Sequence, residues 1–214
     1  MGKRGENLGY PMSENNIIVI SGPSGSGKST LIEMLLQKYG DLQFSISHTT
    51  RSKRKGERDG REYYFLDEAA FQRMADSGRF VEWAEVHGHH YGTSWDEVEE
   101  KVGTDKDLVL DVDVQGARHL RQRFPRALYV FIIPPSLAEL KQRLIERRGE
   151  RDNEIERRFQ KAKDEMNQYT QYDHVIVNDR REEAFRILDC IYTAFVHRSG
   201  RMEQKILSML EEGK

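Results

Sequence analysis

Short apolar runs alternate with amphipathic stretches along most of the chain. Four of these runs, at residues 17–21, 108–112, 128–133 and 174–178, have the length and near-continuous apolar character of buried strands. Each is followed by a segment whose apolar residues recur at helical spacing. Strands that are buried on both faces and alternate with helices are typical of a parallel sheet. The pattern therefore predicts an α/β fold with helices on both faces of the sheet.

Two segments interrupt this alternation. A predicted strand over residues 42–50 leads into the first segment, which spans about residues 45–97 and holds a pair of hairpin-like strands around a turn at Gly88. The second segment is a charged, arginine-rich helical region. We interpret both as insertions into the core. The predicted division of the chain is a flexible leader at 1–15, a core formed by 16–46, 98–140 and 166–214, an inserted substrate subdomain at 47–97 and a second insertion at 141–165.

Composition narrows the range of functions. The chain of 214 residues suits one sizeable domain, with 34 basic and 36 acidic residues and a net charge of −2. A protein that coats nucleic acid is usually basic overall, so no nucleic-acid partner is expected. A membrane span takes about 18 apolar residues, which is far more than any apolar run here, so no membrane partner is expected either.

The single cysteine and the C-terminal tail bear on location and assembly. Cys190 excludes an intrachain disulfide and fits a reducing compartment, so a cytoplasmic location is expected. It lies in a stretch with helical apolar spacing, which predicts a small side chain packed in the core. In the tail, Met202, Ile206 and Met209 also recur at helical spacing. The tail is expected to pack on its own core or on a second subunit, so a homodimer stays open.

The stretch directly after the first apolar run is poor in packing groups. Residues 22–29 satisfy the pattern G-x-x-x-x-G-K-[ST], with a predicted strand before them and a helix after them. Glycines let backbone N–H groups converge on phosphate oxygens, and a helix N-terminus adds the equivalent of about half a positive charge. The residues predicted to bind nucleotide phosphates are Gly22, Pro23, Ser24, Gly25, Ser26, Gly27, Lys28, Ser29 and Thr30.

A divalent cation is expected beside this loop. The Lys28 ammonium can reach the β- and γ-phosphates, and the Ser29 hydroxyl can ligate Mg²⁺. Asp111, in the run "LVLDVD", can hold Mg²⁺ through a water molecule. The alternative is that Asp111 only caps the helix that follows.

Six motifs, in their order along the chain, resemble the guanylate kinase family: "SGPSGSGKST", "SISHTTRSKRKGERDGREYYF", "FVEWAEVHGHHYGTS", "LVLDVDVQG", "FIIPPS" and "VIVND". Each motif alone is modest, but the ordered set is very specific. The resemblance implies a P-loop nucleoside-monophosphate-kinase-like three-layer core with a parallel sheet, an inserted GMP-binding subdomain at 47–97 and a helical lid at 141–165. It also implies Mg²⁺-dependent transfer of the γ-phosphoryl group of ATP to GMP, with dGMP as a further acceptor, in purine nucleotide metabolism.

The resemblance assigns roles to residues outside the P-loop. Arg51 and Arg54 resemble the pair that clamps the GMP phosphate, a task that suits forked guanidinium groups. Tyr63 and Tyr91 resemble the tyrosines that donate to the same phosphate. Asn178 resembles a residue near the adenine of ATP.

Four further residues, Ser47, Glu82, Thr93 and Asp113, resemble the set that reads guanine. The chemistry agrees, because guanine presents N1–H and N2–H₂ donors beside the O6 acceptor. A carboxylate from Glu82 or Asp113 accepts from those donors, and the Ser47 hydroxyl can serve O6. Adenine instead offers an acceptor at N1, and an unpaired polar group in such a pocket costs about 1–3 kcal/mol.

The family uses lid arginines to neutralise the transferring phosphoryl group. Arg147 and Arg158 fit its pattern best, and Arg148 is the alternative if the register shifts by one residue. The family commonly has Arg-Gly-Arg-Gly at this point, whereas this chain has Glu-Arg-Arg-Gly. The expected catalytic residues are therefore Lys28, Arg51, Arg147 and Arg158.

Two other functions compete with this interpretation. A kinase for another nucleotide or sugar phosphate could share the core, although the paired carboxylates Glu82 and Asp113 argue against it. A guanylate-kinase-like binding module would use the cleft for phosphorylated partner proteins. Such modules typically lose P-loop residues, but Gly27, Lys28 and Ser29 are intact here.

Overall fold

Strands and helices alternate through the residues that the computed structural model describes, which are 16–86, 88–102, 106–146 and 152–212. The strands are β1 (Ile17–Ser21), β2 (Leu42–Phe44), β3 (His48–Thr49), β4 (Tyr64–Phe65), β5 (Phe80–Val86), β6 (His89–Ser94), β7 (Asp107–Asp111), β8 (Leu128–Ile133) and β9 (His174–Val177). The helices are α1 (Lys28–Lys38), α2 (Glu68–Asp76), α3 (Trp95–Val102), α4 (Val114–Arg123), α5 (Leu137–Glu146), α6 (Asp152–Met166), α7 (Arg181–Val196) and α8 (Ser199–Glu212).

The core sheet is entirely parallel, with the strand order β2–β7–β1–β8–β9. It contains the four predicted strands, and their observed ends lie within one residue of the predicted ends. The prediction of a single strand over residues 42–50 is wrong, because this segment forms β2 in the core sheet and β3 in a second sheet. The Ser45 N–H still bonds to Val109 of the core sheet, whereas the Ser47 carbonyl already accepts from Tyr64. The chain therefore crosses between the sheets within three residues.

The alternation of side chains along each strand divides the core between two layers of helices. On β1, Ile18 and Ile20 pack on one face with side chains of α1 and α7. Ile17 and Val19 pack on the other face with side chains of α3 and α4. Successive strand residues point to opposite faces, so both layers bury apolar surface against one sheet. This arrangement confirms the predicted three-layer α/β core.

The second sheet has the strand order β4–β3–β6–β5 and lies within the predicted inserted subdomain. Its strands β5 and β6 form the antiparallel hairpin expected around Gly88, whose φ is 76°. The strand register shifts between Phe80 and Glu82, and both Val81 and Glu82 are buried. Val81 packs with the side chains of α3 and α4 in the core. Strand β5 therefore joins the second sheet to the core and carries Glu82 to their junction.

The predicted lid region contains α5 and α6, which pack together through Leu140, Leu144, Ile155 and Ala162. Helix α5 begins before residue 141, the predicted start of this region. The exact domain limits stay a prediction. Of the lid arginines, Arg147 and its alternative Arg148 lie outside the described residues.

The prediction for Cys190 is wrong, because this cysteine is exposed. The buried residues of α7 are Ala184, Leu188, Tyr192 and Phe195, which share one face of the helix. Cys190 follows Leu188 by two positions, which is a rotation of about 200° around the helix axis. The apolar spacing was correct, but Cys190 lies on the opposite face.

Helix α8 is held to the core at its first turn and then exposes apolar side chains. The Arg201 guanidinium donates to the Asp107 carboxylate at 2.7 Å, and the Tyr192 hydroxyl donates to the other oxygen of this carboxylate at 2.9 Å. Farther along α8, apolar side chains are exposed: Ile206, Leu207, Met209 and Leu210. No helix in the described ranges has both the length and the apolar character needed to cross a membrane.

Replacing Arg201 by alanine is expected to destabilise the protein by about 3 kcal/mol, because it leaves the buried carboxylate of Asp107 without its cation. The Asp107 side chain is only 5% exposed. Urea unfolding followed by circular dichroism measures the change. The control is Arg180→Ala, which removes the partner of Glu183 in an exposed pair and should cost less than about 1 kcal/mol. Equal small losses in both variants would contradict a stabilising role for the buried pair.

Candidate active site

The glycine-rich loop lies between β1 and α1, and its backbone is packed tightly against the core sheet. Gly22 has a φ of 153°, and a Cβ there would lie 2.1 Å from the Ile132 carbonyl oxygen of β8. Gly27 has a φ of 86°, and a Cβ there would lie 2.3 Å from the side-chain nitrogen of Asn178. Both positions combine a conformation that favours glycine with no room for a side chain. The loop is therefore held in one shape by the ends of the strands beneath it.

Asn178 braces this loop from the end of β9. Its Nδ2 donates to the Ser26 carbonyl at 2.7 Å, and its own N–H donates to the Ile133 carbonyl at 2.8 Å. The residue is 7% exposed. Its side-chain amide is thus used inside the protein, and a direct contact with ATP stays a prediction.

Lys28 and Asp111 meet beside the loop. The Lys28 Nζ lies 3.0 Å from the Asp111 carboxylate and donates to the Gly22 carbonyl at 3.3 Å. The residue that caps α4 is Asp113, whose carboxylate accepts from the Gly116 N–H at 2.9 Å. Asp111 therefore does not cap this helix, which was the alternative role proposed for it from the sequence. Its carboxylate faces the phosphate loop.

One cleft, with a cavity of about 330 Å³, joins the two groups of predicted residues. The loop residues 22–30 line one part of it, together with Asp111 and Arg158. The second part is lined by residues predicted to bind GMP: Ser47, Arg54, Tyr63, Glu82, Tyr91 and Asp113. Three predicted residues, Arg51, Thr93 and Asn178, are not part of this lining. The fold thus brings residues from distant parts of the sequence to one cavity.

Glu82 is a buried carboxylate at the wall of this cleft. The residue is only 6% exposed, and its Oε1 accepts from the Thr93 N–H at 3.0 Å and from the Thr93 hydroxyl at 2.7 Å. The pKa of Glu82 is raised to about 7, mainly by burial and also by the charge of Asp113, although the hydrogen bonds from Thr93 act to lower it. A Cβ at Gly116 would lie 2.6 Å from Oε2, so the glycine leaves room for this carboxylate. Such a group accepts hydrogen bonds strongly when it is ionised.

Thr93 contacts the cleft residue Glu82 and is not itself part of the cleft lining. Thr93 is fully buried, and its hydroxyl proton is donated to Glu82. It therefore orients the carboxylate that faces the cleft, and its own contact with guanine stays a prediction. Ser47 and Asp113 also line the cleft.

The predicted phosphate clamp is built around aromatic rings. The Arg51 guanidinium lies over the Tyr63 ring at 5.4 Å and over the Phe65 ring at 5.8 Å. The Tyr63 and Tyr91 rings meet edge to face, with their centroids 5.8 Å apart. Burial raises the pKa of Tyr63 to about 12, so its hydroxyl keeps its proton and can donate it to an anion. Arg54 lies in the cleft lining nearby.

From the lid side, α6 places two charged residues at the cleft. Arg158 donates through Nη2 to the Ser24 hydroxyl of the glycine-rich loop. Glu165, two turns farther along α6, also lines the cleft. Burial raises the pKa of Glu165 to about 7, Lys161 lowers it and Asp113 raises it. Arg147, expected beside Arg158, is outside the described residues.

Sequence reasoning missed two carboxylates of this site. Glu57 accepts two hydrogen bonds from the Arg51 guanidinium, and Glu165 faces the cleft from the lid. Glu57 has a sequence signal in hindsight, because it is an acid that closely follows four basic residues of the same loop, Arg51, Lys53, Arg54 and Lys55. Glu165 has no such signal, since it is one of many acids on a charged helix.

Replacing Gly27 by alanine is expected to weaken ATP binding about tenfold or more, because backbone strain of about 1–3 kcal/mol combines with a clash against Asn178. Calorimetric titration with ATP measures the change. The matched control is Gly78→Ala, whose φ is also positive at 67° but whose Cβ would meet no atom within 4 Å. Unchanged ATP affinity in Gly27→Ala would show that the shape of the loop does not govern phosphate binding.

Comparison with known proteins agrees with this geometry. The sequence profile of the family described as guanylate kinase matches residues 14–194. The chain is 41% identical over 201 residues to a guanylate kinase of Legionella pneumophila, covering 92% of this chain and 96% of that protein. It is 40% identical to a guanylate kinase of Coxiella burnetii, covering 94% and 98%. The crystal structure of guanylate kinase from Anaplasma phagocytophilum superposes with a TM-score of 0.71 at 32% identity, covering 86% of this chain and 88% of that one. The chain therefore belongs to the guanylate kinase family.

Proposed function

We propose that the cleft carries out the reaction of its family, the transfer of the γ-phosphoryl group of ATP to GMP, which gives ADP and GDP. Membership of the family supports the reaction itself. One observation supports its location: a phosphate-binding loop and a buried carboxylate suited to guanine, Glu82, border the same cavity. The remaining residues of the cleft then have roles that follow from their charges and positions.

The donor nucleotide binds at the glycine-rich loop. Backbone N–H groups and the N-terminus of α1 surround its phosphates, and Lys28 moves from Asp111 to the β- and γ-phosphates. Ser29 and Asp111 offer the hydroxyl and carboxylate oxygens that Mg²⁺ accepts, and Mg²⁺ is usually held by one or two protein groups together with substrate phosphates. Mg²⁺ bound there would neutralise charge on the phosphates. The residues present thus fit a magnesium-dependent reaction.

The acceptor base binds at Glu82. As a carboxylate, Glu82 accepts from guanine N1–H and N2–H₂, while Thr93 keeps it in place. Asp113 lies on the same cavity and is held by the Gly116 N–H, and Ser47 is placed to serve guanine O6. A site built on hydrogen bonds can reject an analogue that leaves its polar groups unpaired by roughly 10⁴-fold. This chemistry favours GMP and dGMP over AMP.

Phosphoryl transfer is direct in this proposal, with no covalent enzyme intermediate. The GMP phosphate is already anionic and needs no strong general base, so positioning and charge stabilisation supply most of the rate. Arg51 and Arg54, with Tyr63 and Tyr91, hold the attacking phosphate. The lid contributes Arg158, and Arg147 or its neighbour, to the transferring group. Closure of the lid also excludes water, which would otherwise compete as an acceptor.

The proposal also covers where the enzyme is located in the cell and whether it forms a dimer. We place the enzyme in the cytoplasm, in purine nucleotide metabolism, because its composition fits a reducing compartment. The apolar face of α8, with Ile206, Leu207 and Met209 exposed, supports the alternative in which the tail packs on a second subunit. A homodimer is therefore retained as a proposal.

An acceptor screen tests the proposed function. ADP release from ATP and Mg²⁺ is measured with GMP, dGMP, AMP, CMP and UMP. Turnover is expected with GMP and dGMP and little with AMP. Lys28→Ala should lower kcat by at least about a hundredfold, because it removes a cation from the transferring phosphates. The control is Lys38→Ala at the other end of α1, where the lysine pairs with Asp189. Turnover only with another acceptor would overturn the guanine assignment.

The ionisation of Glu82 predicts a pH dependence. Its pKa is raised to about 7, so the acid form, which cannot accept from both guanine donors, dominates below that pH. The quantity to measure is kcat/KM for GMP, as a ratio of the wild type to Glu82→Gln, in which the titration of the GMP phosphate cancels. This ratio should fall about tenfold from pH 8 to pH 6, as the ionised fraction falls. A ratio that does not change with pH would contradict the role of Glu82.

A further inference from the structure

The Arg51 guanidinium is held at one end by two groups of its own loop. Its Nη1 donates to the Ser52 carbonyl at 2.8 Å and to the Glu57 carboxylate at 3.1 Å. Its Nη2 donates to the other oxygen of Glu57 at 2.8 Å. The side chains of Arg51 and Glu57 are 10% and 17% exposed, so this pair is largely shielded from water. Two parallel N–H···O bonds fix the orientation of a guanidinium as well as its position.

The loop around Arg51 bonds to only part of its guanidinium, which leaves one edge of the group for a ligand. Arginine has five N–H donors in a rigid plane. Among the described residues, Ser52 and Glu57 take three of them, both on Nη1 and one on Nη2. The other two, on Nε and Nη2, lie side by side on a single edge of the plane. This edge can donate two parallel bonds to two phosphate oxygens. The Tyr91 hydroxyl also hydrogen-bonds to the guanidinium, which helps to raise the pKa of Arg51. A phosphate bound at this edge would therefore meet the Tyr91 hydroxyl as well.

Glu57 is itself fixed in the loop. Its Oε2 also accepts from the Arg54 N–H at 2.7 Å, and its own N–H donates to the Arg54 carbonyl at 3.2 Å. The hydrogen bonds from Arg51 hold the pKa of Glu57 below its usual range, so it stays a carboxylate at neutral pH. The rings of Tyr63 and Phe65 pack against the Arg51 guanidinium and restrict its movement. The orientation of Arg51 is therefore determined before any substrate arrives.

We propose that Glu57 is a positioning residue for the acceptor: it holds Arg51 by its Nη1–Nη2 end so that the Nε–Nη2 edge is presented to the GMP phosphate. This proposal rests on the proposed function. Glu57 does not touch the reacting atoms and acts through Arg51. Its charge alone would have the opposite effect, because a carboxylate near the site repels an incoming phosphate. The two effects therefore predict opposite changes in GMP affinity when Glu57 is neutralised.

The test is Glu57→Gln, which keeps the size of the side chain and removes its charge. The KM for GMP and its calorimetric Kd should rise about tenfold, as is common when a group that orients a ligand residue is lost, while the KM for ATP changes less than about twofold. Glu57→Asp keeps the charge but moves the carboxylate away from Arg51 by one methylene group. Its effect on the KM for GMP should lie between those of the wild type and Glu57→Gln. The control is Glu85→Gln, an exposed acid of β5 in the same inserted subdomain, which should leave both KM values unchanged.

A double-mutant cycle shows whether Glu57 acts through Arg51. In an Arg51→Lys background, where the fork is absent, Glu57→Gln should raise the KM for GMP less than about twofold further. Unchanged or tighter GMP binding in Glu57→Gln, an equal rise in the KM values for ATP and GMP, or full additivity in the cycle would overturn the positioning role. Failure of the proposed function would look different, because the wild-type protein would then neither bind nor phosphorylate GMP.

Discussion

A loop can surround phosphate oxygens with backbone N–H groups only if its backbone is held in conformations that residues with a Cβ resist. Here that constraint is met by packing against buried strands. Gly22 lies against the Ile132 carbonyl of β8, and Asn178, just after β9, bonds to the Ser26 carbonyl and leaves no room for a side chain at Gly27. The apolar core sheet thus sets the position of the phosphate loop, and the other groups of the cleft are arranged around it.

The second physical problem is charge, because two anionic nucleotides must meet in a cleft that also contains carboxylates. The structure pairs most of these carboxylates with a donor: Asp111 with Lys28, Asp113 with the Gly116 N–H, and Glu82 with Thr93. Each of these three carboxylates therefore has a hydrogen-bond donor inside the protein, and Asp111 also has a cation. Burial also raises the pKa of Glu82 to about 7, so in the proposed function its hydrogen bonding to guanine would depend on pH near neutrality. In the proposed function, recognition of the base and binding of the phosphates fall to different parts of one cavity.

The sequence predicted the features that depend on local patterns and missed those that depend on pairing. Continuous apolar runs located four core strands, and the glycine-rich motif located the phosphate loop. The apolar pattern of residues 42–50 predicts one strand because it does not reveal that Ser45 and Ser47 bond to different sheets. The prediction for Cys190 fails because it takes a residue within an apolar helical stretch as buried, whereas only one face of α7 packs on the core. The contacts of Thr93 with Glu82 and of Glu57 with Arg51 could not be predicted, since the folded backbone determines which side chains meet.

The most direct measurement is a crystal structure of the protein with GMP and a non-hydrolysable ATP analogue in the presence of Mg²⁺. The expected result places guanine N1–H and N2–H₂ on the Glu82 carboxylate, the GMP phosphate on the Nε–Nη2 edge of Arg51, and the analogue's terminal phosphate within reach of Lys28. Arg51 should still hold its two bonds to Glu57. A structure in which GMP binds away from Glu82, or in which its phosphate does not face the terminal phosphate of the ATP analogue, would contradict direct transfer between two nucleotides in this cleft.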